Sequence, residues 1–283
     1  MITRITEEYI RSVLPPRAKD GNKGTFGRVL LICGNGNMRG AAALSLLGAL
    51  RCGAGLVTLA STHEVIDALS STIYEALWLD REKDDCILAA EKANAVGIGC
   101  GMGVGDETQS LVFSLLSGEI NTPLVIDADG INVLEGNADV LKKACRPIVL
   151  TPHPLEFSRL CGLSVEEIQS NREKCAKAFA KEYGVTLLLK GKDTVITDGE
   201  KVFVNPTGSS ALAKGGSGDV LTGMICAFLA QGCNSIDAAA IAAYCHGTAG
   251  ERLAKIYSEY GVLPSELPTE AAKYLCELEK NNG

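Results

Sequence analysis

The chain has 283 residues, of which 46% are hydrophobic and 22% are charged, and its formal net charge at pH 7 is −7. This composition excludes a disordered, collagen-like or coiled-coil protein, and the acidic charge argues against a nucleic-acid partner, which needs a basic surface. The longest uncharged apolar run, residues 41–50, is far shorter than the ~20 residues that span a bilayer. We therefore expect neither a membrane nor a nucleic acid as a partner.

The start of the chain and the cysteines indicate a compartment. Residues 1–16 contain Arg4, Glu7, Glu8 and Arg11, and they lack the apolar core of a secretory signal. The 11 cysteines include no CxxC pair, and most of them lie in apolar runs. This pattern is typical of reduced core thiols rather than of a disulfide or metal framework. We therefore expect a cytoplasmic protein.

Short apolar segments rich in β-branched residues alternate with longer helical patterns along the chain. The predicted strands cover residues 28–33, 56–60, 95–99, 123–127, 147–151 and 185–190. The predicted helices cover residues 40–52, 164–181, 217–231 and 235–256, and a polar tail ends at residues 280–283. Buried strands separated by helices indicate an α/β protein with a mainly parallel central sheet and helices on both faces.

Two local patterns add detail to this fold. Ser164 and Glu167 have the spacing of a capping box at the start of the second helix. Residues 194–197 and 201–204 flank a polar turn and predict a small antiparallel hairpin. Because no linker or low-complexity segment divides the chain, we expect a single domain over residues 1–283. In such a sheet, ligands bind beyond the carboxyl ends of the strands.

The loop after the first predicted strand is rich in glycine and reads Gly34-Asn-Gly-Asn-Met-Arg-Gly40. Its spacing is GxGxxxG rather than the GxGxxG of a dinucleotide site, and the next strand ends without the acidic residue that would bind a ribose. The loop is therefore a tight turn or a different ligand loop, and a Rossmann dehydrogenase is a weaker alternative.

The loops after two later strands favour contact with a ligand. Residues 97–105 carry five glycines at alternate positions, which favours close approach of a ligand to the backbone. In the segment TPHPLE, the two prolines stiffen the chain, and we expect them to aim His153 and Glu156 outward. We interpret His153 as a binding residue, and His63 and His246 as structural.

Two segments near the end of the sheet point to an anion. Residues 190–194 (KGKDT) close a strand and form either a solvated charge pair or a phosphate contact. Residues 205–219 contain four glycines before a helix, so free backbone N–H groups and the positive helix end predict an anion cradle. Asp219 is either a helix N-cap or a general base for a substrate hydroxyl. The additional glycines and Lys214 favour the base.

Together these segments resemble the ribokinase-like superfamily and, within it, the ADP/ATP-dependent NAD(P)H-hydrate dehydratases. The resemblance covers about residues 20–260. The GxGD element marks only the superfamily. The segments DADG (127–130), TPHPLE (151–156) and GDVLTG (218–223), in this order, are more specific.

The resemblance implies a ribokinase-like fold and an enzyme of metabolite repair, a carbon–oxygen lyase. Such an enzyme converts the S-epimer of hydrated NADH or NADPH back to NADH or NADPH. ADP phosphorylates the ring hydroxyl, and elimination then gives AMP and phosphate. The resemblance also implies Mg²⁺, ADP or ATP as co-substrate, and a homo-oligomer, specifically a tetramer.

The resemblance further implies which positions form the site. Asp219 matches the catalytic residue. The residues that would contact the hydrated nicotinamide are Ala41, Ala42, Gly101, Gly103, Asn132, His153 and Asp219. The residues that would contact the nucleotide are Lys190, Gly191, Lys192, Asp193, Thr194, Gly216, Ser217 and Gly218. None of these residues is assigned as a metal ligand.

The sequence departs from the family pattern in both glycine loops. Residues 34–40 lack the usual GGS and aromatic residue, and residues 99–103 read GCGMG where GPGLG is usual. The short segment before the first motif predicts that an N-terminal epimerase domain is absent. Two alternatives stay open: a ribokinase-like kinase that phosphorylates a small alcohol such as a vitamin precursor, and a non-catalytic nucleotide-binding protein on the same fold.

Overall fold

The described residues, 2–280 of a computed structural model, fold around one ten-stranded sheet. Its strands are β1 (Ile2–Arg4), β2 (Arg28–Ile32), β3 (Leu56–Ser61), β4 (Ala76–Asp80), β5 (Ala95–Ile98), β6 (Leu124–Ile126), β7 (Ile148–Leu150), β8 (Thr186–Leu189), β9 (Thr194–Thr197) and β10 (Val202–Asn205).

Helices connect most of these strands. They are α1 (Glu7–Val13), α2 (Arg39–Arg51), α3 (His63–Ser70), α4 (Cys86–Glu91), α5 (Asp106–Ser117), α6 (Asp129–Asn132), α7 (Pro154–Cys161), α8 (Val165–Ser170), α9 (Arg172–Tyr183), α10 (Ser217–Ala230), α11 (Ser235–Gly261) and α12 (Leu267–Lys280). Short 3₁₀ helices cover Ala138–Lys143, Ser210–Leu212 and Pro264–Glu266.

The strand order determines where the connecting loops meet. The sheet runs β1-β10-β9-β8-β7-β6-β5-β2-β3-β4. Strand β9 is antiparallel to both of its neighbours, and the other pairs are parallel. The predicted mainly parallel sheet with a small antiparallel hairpin is therefore confirmed. The chain leaves β2 and β5 in opposite directions across the sheet, which makes their boundary a topological switch point.

Side chains of β2 alternate between two cores, one on each face of the sheet. Val29 and Leu31 pack in a core that includes residues of α2, α10, α11 and α12. Leu30 and Ile32 pack in a core that includes residues of α5, α7 and α9. This alternation follows from the two-residue period of a strand. It confirms that helices cover both faces.

Helices α2 and α10 approach each other unusually closely. A Cβ at Gly223 would lie 1.9 Å from the carbonyl oxygen of Ser45, and a Cβ at Gly48 would lie 2.4 Å from that of Val220. Only glycine allows this separation. The last glycine of the GDVLTG segment therefore serves helix packing, which fixes α10 beneath the loops that follow the strands.

One predicted helix is divided in the structure, and two strands are additional to the prediction. The helix predicted over residues 164–181 is divided into α8 and α9, because Asn171 has φ −147° and ψ 50°, outside the helical region. The capping box of Ser164 and Glu167 at the start of α8 is confirmed. Strands β1 and β4 were not predicted; β1 has only three residues, all of them exposed.

The polar tail is wrong over residues 267–280, which form α12. Leu267, Ala271, Tyr274 and Leu278 are buried and recur at helical spacing, so one face of this polar segment packs on the core. Residues 281–283 of the predicted tail lie outside the described residues.

The cysteines and the helices bear on two further expectations. All 11 cysteines are free, and six of them are buried, so most but not all are core thiols. Within residues 2–280, every helix is too short or too polar to cross a membrane.

Candidate active site

Five loops meet at one edge of the sheet. Strands β8, β7, β6, β5 and β2 are adjacent and parallel, so their carboxyl ends lie side by side. The loops that leave these ends begin at Cys33, Gly99, Asp127, Thr151 and Lys190. The glycine loops, the TPHPLE segment and the KGKDT segment are therefore brought together, as expected from the sequence.

A buried ion pair lies at the centre of this edge. Nζ of Lys190 is 2.8 Å from Oδ1 of Asp127 and 3.8 Å from Oε2 of Glu156. Asp127 is 1% exposed, and its Oδ2 accepts a 2.8 Å hydrogen bond from the Thr222 hydroxyl. Burial alone would lower the pKa of Lys190, but the charges of Asp127 and Glu156 outweigh burial and raise that pKa. Lys190 is therefore a fixed cation.

Asp219 lies half-buried beside this pair, at the third position of α10. The N-cap of α10 is Gly216, with φ 103°, so the alternative interpretation of Asp219 as an N-cap is excluded. Burial, and next the charge of Asp127, raise the pKa of the Asp219 carboxyl to about 6, while the Cys100 thiol and Lys190 act to lower it. A carboxylate with this pKa is suited to accept a proton from a hydroxyl near neutral pH.

The backbone at Gly218 runs beside the ion pair. A Cβ at this position would lie 3.3 Å from Nζ of Lys190 and 3.5 Å from Oδ2 of Asp127. The first N–H groups of α10 have no acceptors within the helix, so its positive end lies next to the lysine. Together they form a suitable place for a phosphate group.

A cavity of about 770 Å³ opens beside the start of α10. Seven of the eight predicted nucleotide-binding residues line it: Lys190, Gly191, Lys192, Asp193, Thr194, Ser217 and Gly218. The eighth, Gly216, makes the turn into α10, where a Cβ would lie 2.4 Å from Cδ1 of Leu44. The volume falls in the range of small-molecule sites.

Arg4 also lines this cavity, although no sequence pattern indicates it. Its guanidinium NH2 lies 3.9 Å from Oδ1 of Asp193, which is itself a lining residue. The arginine reaches the cavity because β1 pairs with β10, a strand much later in the sequence. A three-residue exposed strand with a distant partner has no local pattern that predicts it.

Contrary to expectation, the side chain of Lys214 does not point to the anion cradle but bonds to the backbone. Its Nζ donates 2.6 Å hydrogen bonds to the carbonyl oxygens of Tyr260 and Val262. The lysine therefore fastens the glycine-rich segment to the end of α11, and the positive charge of the cradle comes from Lys190 and the helix end.

The residues predicted to contact the nicotinamide do not line the nucleotide cavity. Four of them lie in or against the two glycine loops: Ala41, Ala42, Gly101 and Gly103. Ala41 meets Gly101, where an added Cβ would lie 2.7 Å from Cβ of Ala41. The backbone N–H of Gly103 donates a 2.7 Å hydrogen bond to Asp129. Asp129 also acts to raise the pKa of Asp219, so this group of residues lies near the proposed base.

Two other residues of the nicotinamide group make protein contacts. The side chain of Ala42 is fully buried and lies against Gly34. Oδ1 of Asn132 accepts a 3.1 Å hydrogen bond from Arg159. Ala42 therefore shapes the first loop from beneath, whereas Asn132 holds α6 to α7.

His153 caps a helix while its ring stays half-exposed. Its Nδ1 accepts hydrogen bonds from the backbone N–H groups of Leu155 and Glu156, at 3.1 and 3.2 Å. Its Nε2 lies 3.4 Å from Oε1 of Glu156. The expected outward direction of Glu156 is wrong: it is 5% exposed because it accepts from the His153 N–H and faces Lys190.

The five glycines of residues 97–105 have mostly structural reasons. A Cβ at Gly97 would lie 2.8 Å from Sγ of Cys226, and one at Gly99 would lie 2.0 Å from the carbonyl oxygen of Asp127. Gly101 meets Ala41 as described. Close packing of the protein on itself thus accounts for three of the five. An added Cβ at Gly103 would lie 3.6 Å from Nδ2 of Asn35, and at Gly105 it would have nothing within 4 Å.

The sequence patterns assign no binding or catalytic role to three residues that the structure places in the site. Asp127 belongs to the DADG segment and Thr222 to GDVLTG, so the motifs marked their positions but not their contact with each other. His246 had been interpreted as structural, yet it lines the nucleotide cavity. The one sequence feature that could have indicated this role is its position in the helix after the one that contains GDVLTG.

Comparisons with known proteins identify the family of the chain. A family model described as NAD(P)H-hydrate dehydratase matches residues 29–273. An ADP-dependent (S)-NAD(P)H-hydrate dehydratase from Bacillus subtilis is 36% identical over 266 residues, which cover 93% of this chain and 94% of that protein. A bifunctional NAD(P)H-hydrate repair enzyme from Moorella thermoacetica is 38% identical over 93% of this chain. The chain spans about half the length (52%) of this bifunctional relative.

A solved structure is similar over nearly the whole chain. The ADP/ATP-dependent NAD(P)H-hydrate dehydratase from Bacillus subtilis, co-crystallised with ATP and Mg²⁺, superposes with a TM-score of 0.87 at 32% identity. The match covers 98% of each chain. A ribokinase-like superfamily protein from Enterococcus faecalis also superposes, with a TM-score of 0.88 at 30% identity over 98% of this chain and 96% of that one. The expected ribokinase-like architecture is therefore confirmed, and the chain belongs to the NAD(P)H-hydrate dehydratase family.

Proposed function

We propose that this protein uses ADP to dehydrate the S-epimer of hydrated NADH or NADPH, which restores the reduced cofactor and releases AMP and phosphate. One observation carries the proposal. Asp219, whose pKa is raised to about 6, lies between a cavity lined by the predicted nucleotide residues and the loops predicted to hold the nicotinamide. A base between two binding regions suits transfer of a phosphoryl group from one ligand to a hydroxyl of the other.

The first step makes a poor leaving group into a good one. Hydroxide leaves carbon slowly, so the ring hydroxyl attacks the terminal phosphoryl group of ADP, its proton passes to Asp219, and AMP leaves. The C–O bond of the new phosphate ester then breaks, and phosphate leaves with both electrons of that bond. At the same time the lone pair of the ring nitrogen forms a C=N bond. Loss of a proton from the neighbouring ring carbon restores the dihydropyridine.

Lys190 and the start of α10 handle the charge that this step develops. The ammonium is held in place by Asp127 and Glu156, and it lies next to the Gly218 backbone. Donors that are fixed before the reaction need no rearrangement when negative charge moves onto the leaving AMP phosphate. The acidic net charge of the protein is therefore compatible with an anionic nucleotide.

Magnesium fits this site as a companion of the nucleotide. Within residues 2–280, no group of three or more His, Cys, Asp or Glu side chains forms a ready metal cage. Mg²⁺ is usually held by one or two carboxylates together with substrate phosphates. Asp127, whose Oδ2 lies beside the Gly218 backbone, is the carboxylate that would hold the ion here together with the nucleotide phosphates, which leaves Asp219 free to act as the base. The bound ion would neutralise part of the phosphate charge.

Product analysis tests this function against the two alternatives. The protein is incubated with ADP, Mg²⁺ and hydrated NADH, and the products are separated by chromatography. We expect NADH, AMP and phosphate in equal amounts. A stable phosphorylated alcohol would support the kinase instead, and tight ADP binding without turnover would support the non-catalytic protein.

The remaining expectations are tested separately. The homotetramer and the cytoplasmic location stay predictions: light scattering measures the first, and fractionation of cells measures the second.

A further inference from the structure

Two buried polar atoms in the nucleotide cavity lack a partner among the described residues. They are Nε2 of His246 and Oγ of Ser217. The residues are 6% and 5% exposed, and both line the cavity. A buried donor or acceptor without a partner costs about 1–3 kcal/mol. Two such atoms in one cavity therefore indicate that a bound molecule supplies their hydrogen bonds.

The surroundings hold His246 in place before a ligand binds. A Cβ at Gly247 would lie 2.1 Å from Oγ1 of Thr207, so α11 is packed tightly on the loop after β10. Asn205 donates a 3.1 Å hydrogen bond to the carbonyl of Ala243, one turn before the histidine. The ring is therefore presented on a rigid element.

The charge of the ring tells which part of a nucleotide it suits. Burial, opposed by the backbone of Ser217 and helped by the charge of Lys190, lowers the pKa of His246 to about 4. The imidazole is therefore neutral near pH 7, so it offers one directional hydrogen bond but no positive charge to attract a phosphate. Lys190 and the start of α10 already provide the charge for the phosphates.

We propose that His246, with Ser217 beside it, hydrogen-bonds the nucleoside part of the bound nucleotide. Ribose hydroxyls and base nitrogens are uncharged polar groups, which match an imidazole nitrogen and a hydroxyl. This inference rests on the proposed function, because it takes ADP as the ligand of the cavity. It makes His246 a residue of nucleotide recognition and not only of the helix core.

Calorimetric titration with two probes tests the inference. ADP carries the nucleoside, and inorganic pyrophosphate carries only the phosphates. For His246→Ala we expect ADP to bind roughly tenfold more weakly, because one hydrogen bond is lost, while pyrophosphate binding is unchanged. Lys190→Ala should weaken both probes, and His63→Ala, at an exposed position outside the cavity, should change neither.

Each other result overturns a specific statement. Equal weakening of ADP and pyrophosphate binding overturns the role of His246. Unchanged ADP binding also overturns it, because the two polar atoms would then meet only water. If His246→Ala does not fold, as judged by thermal unfolding, His246→Gln and Ser217→Ala carry the same comparison. Wild-type protein that does not bind ADP at all would instead overturn the proposed function.

Discussion

At the residue scale, burial and next the charge of Asp127 set the pKa of Asp219. Its carboxyl is half-buried next to Asp127, and both effects raise its pKa to about 6. The sequence predicted this residue from the GSGD segment. It could not predict the pKa, because Asp127 and Cys100 are far away along the chain and approach Asp219 only through the sheet.

The first prediction concerns pH. A base acts only when deprotonated, so kcat/KM should rise with pH through about 6 and level off above it. The Cys100 thiol acts to lower the pKa of Asp219, so Cys100→Ala should move this rise to higher pH. Pre-steady or steady-state rates over a pH series measure both effects.

Cys276→Ala serves as the control for this series, because Cys276 is exposed and outside the site. Its profile should coincide with that of the wild type. A Cys100→Ala profile that also coincides with the wild type, or that moves to lower pH, would contradict the account.

The second prediction links the same pKa to stability. The folded pKa of Asp219 lies above its ordinary value of 3.8, so its contribution is favourable below pH ~4 and is lost as pH rises through about 6. Asp219→Asn removes the buried charge and should stabilise the fold at pH 8 by about 3 kcal/mol, which corresponds to the rise in its pKa from 3.8 to about 6. Thermal unfolding at pH 8 and pH 4 measures the difference, which should vanish at pH 4. A variant with a lower Tm at pH 8 would contradict the prediction.

At the scale of elements, two glycines determine how α10 lies on α2. The sequence marked Gly223 as part of a family motif but gave no reason for it. The structure gives one: a Cβ there would lie 1.9 Å from the Ser45 carbonyl oxygen. Such a contact between distant helices has no local sequence pattern, whereas the strands and the Ser164 capping box do.

The third prediction tests this packing. Gly223→Ala should destabilise the protein by about 3 kcal/mol, near the upper end of overpacking costs, because backbone must move. Chemical denaturation measures the loss. Gly40→Ala is the matched control: Gly40 lies in α2 with nothing within 4 Å of an added Cβ, so alanine should be neutral or slightly stabilising there. Similar stabilities of the two variants would show that the close approach is not required.

Two elements show where sequence patterns were incomplete or were missed. The backbone of Asn171 leaves the helical region, although the sequence pattern around it is continuously helical. In α12 the signal existed, since Leu267, Ala271, Tyr274 and Leu278 repeat at helical spacing. The polar residues between them hid it.

At the scale of the whole molecule, the strand order turns separate motifs into one site. Four segments singled out from the sequence meet because the strands before them are parallel neighbours: residues 34–40, 97–105, 151–156 and 190–194. The fifth, residues 205–219, follows β10, which antiparallel β9 separates from β8. The predicted nucleotide residues then share a cavity. Contributions from β1 and α11, such as Arg4 and His246, depend on long-range pairing and packing, and the sequence alone did not reveal them.

The central claim is that Asp219 starts an ADP-dependent dehydration, and one measurement tests it most directly. Wild type and Asp219→Asn are supplied with ADP, Mg²⁺ and the S-epimer of hydrated NADH, and the absorbance of the reduced nicotinamide is followed while ADP binding is measured in parallel. The account predicts that the wild type regenerates NADH and that the variant binds ADP but regenerates none. Near-normal turnover by Asp219→Asn would contradict it.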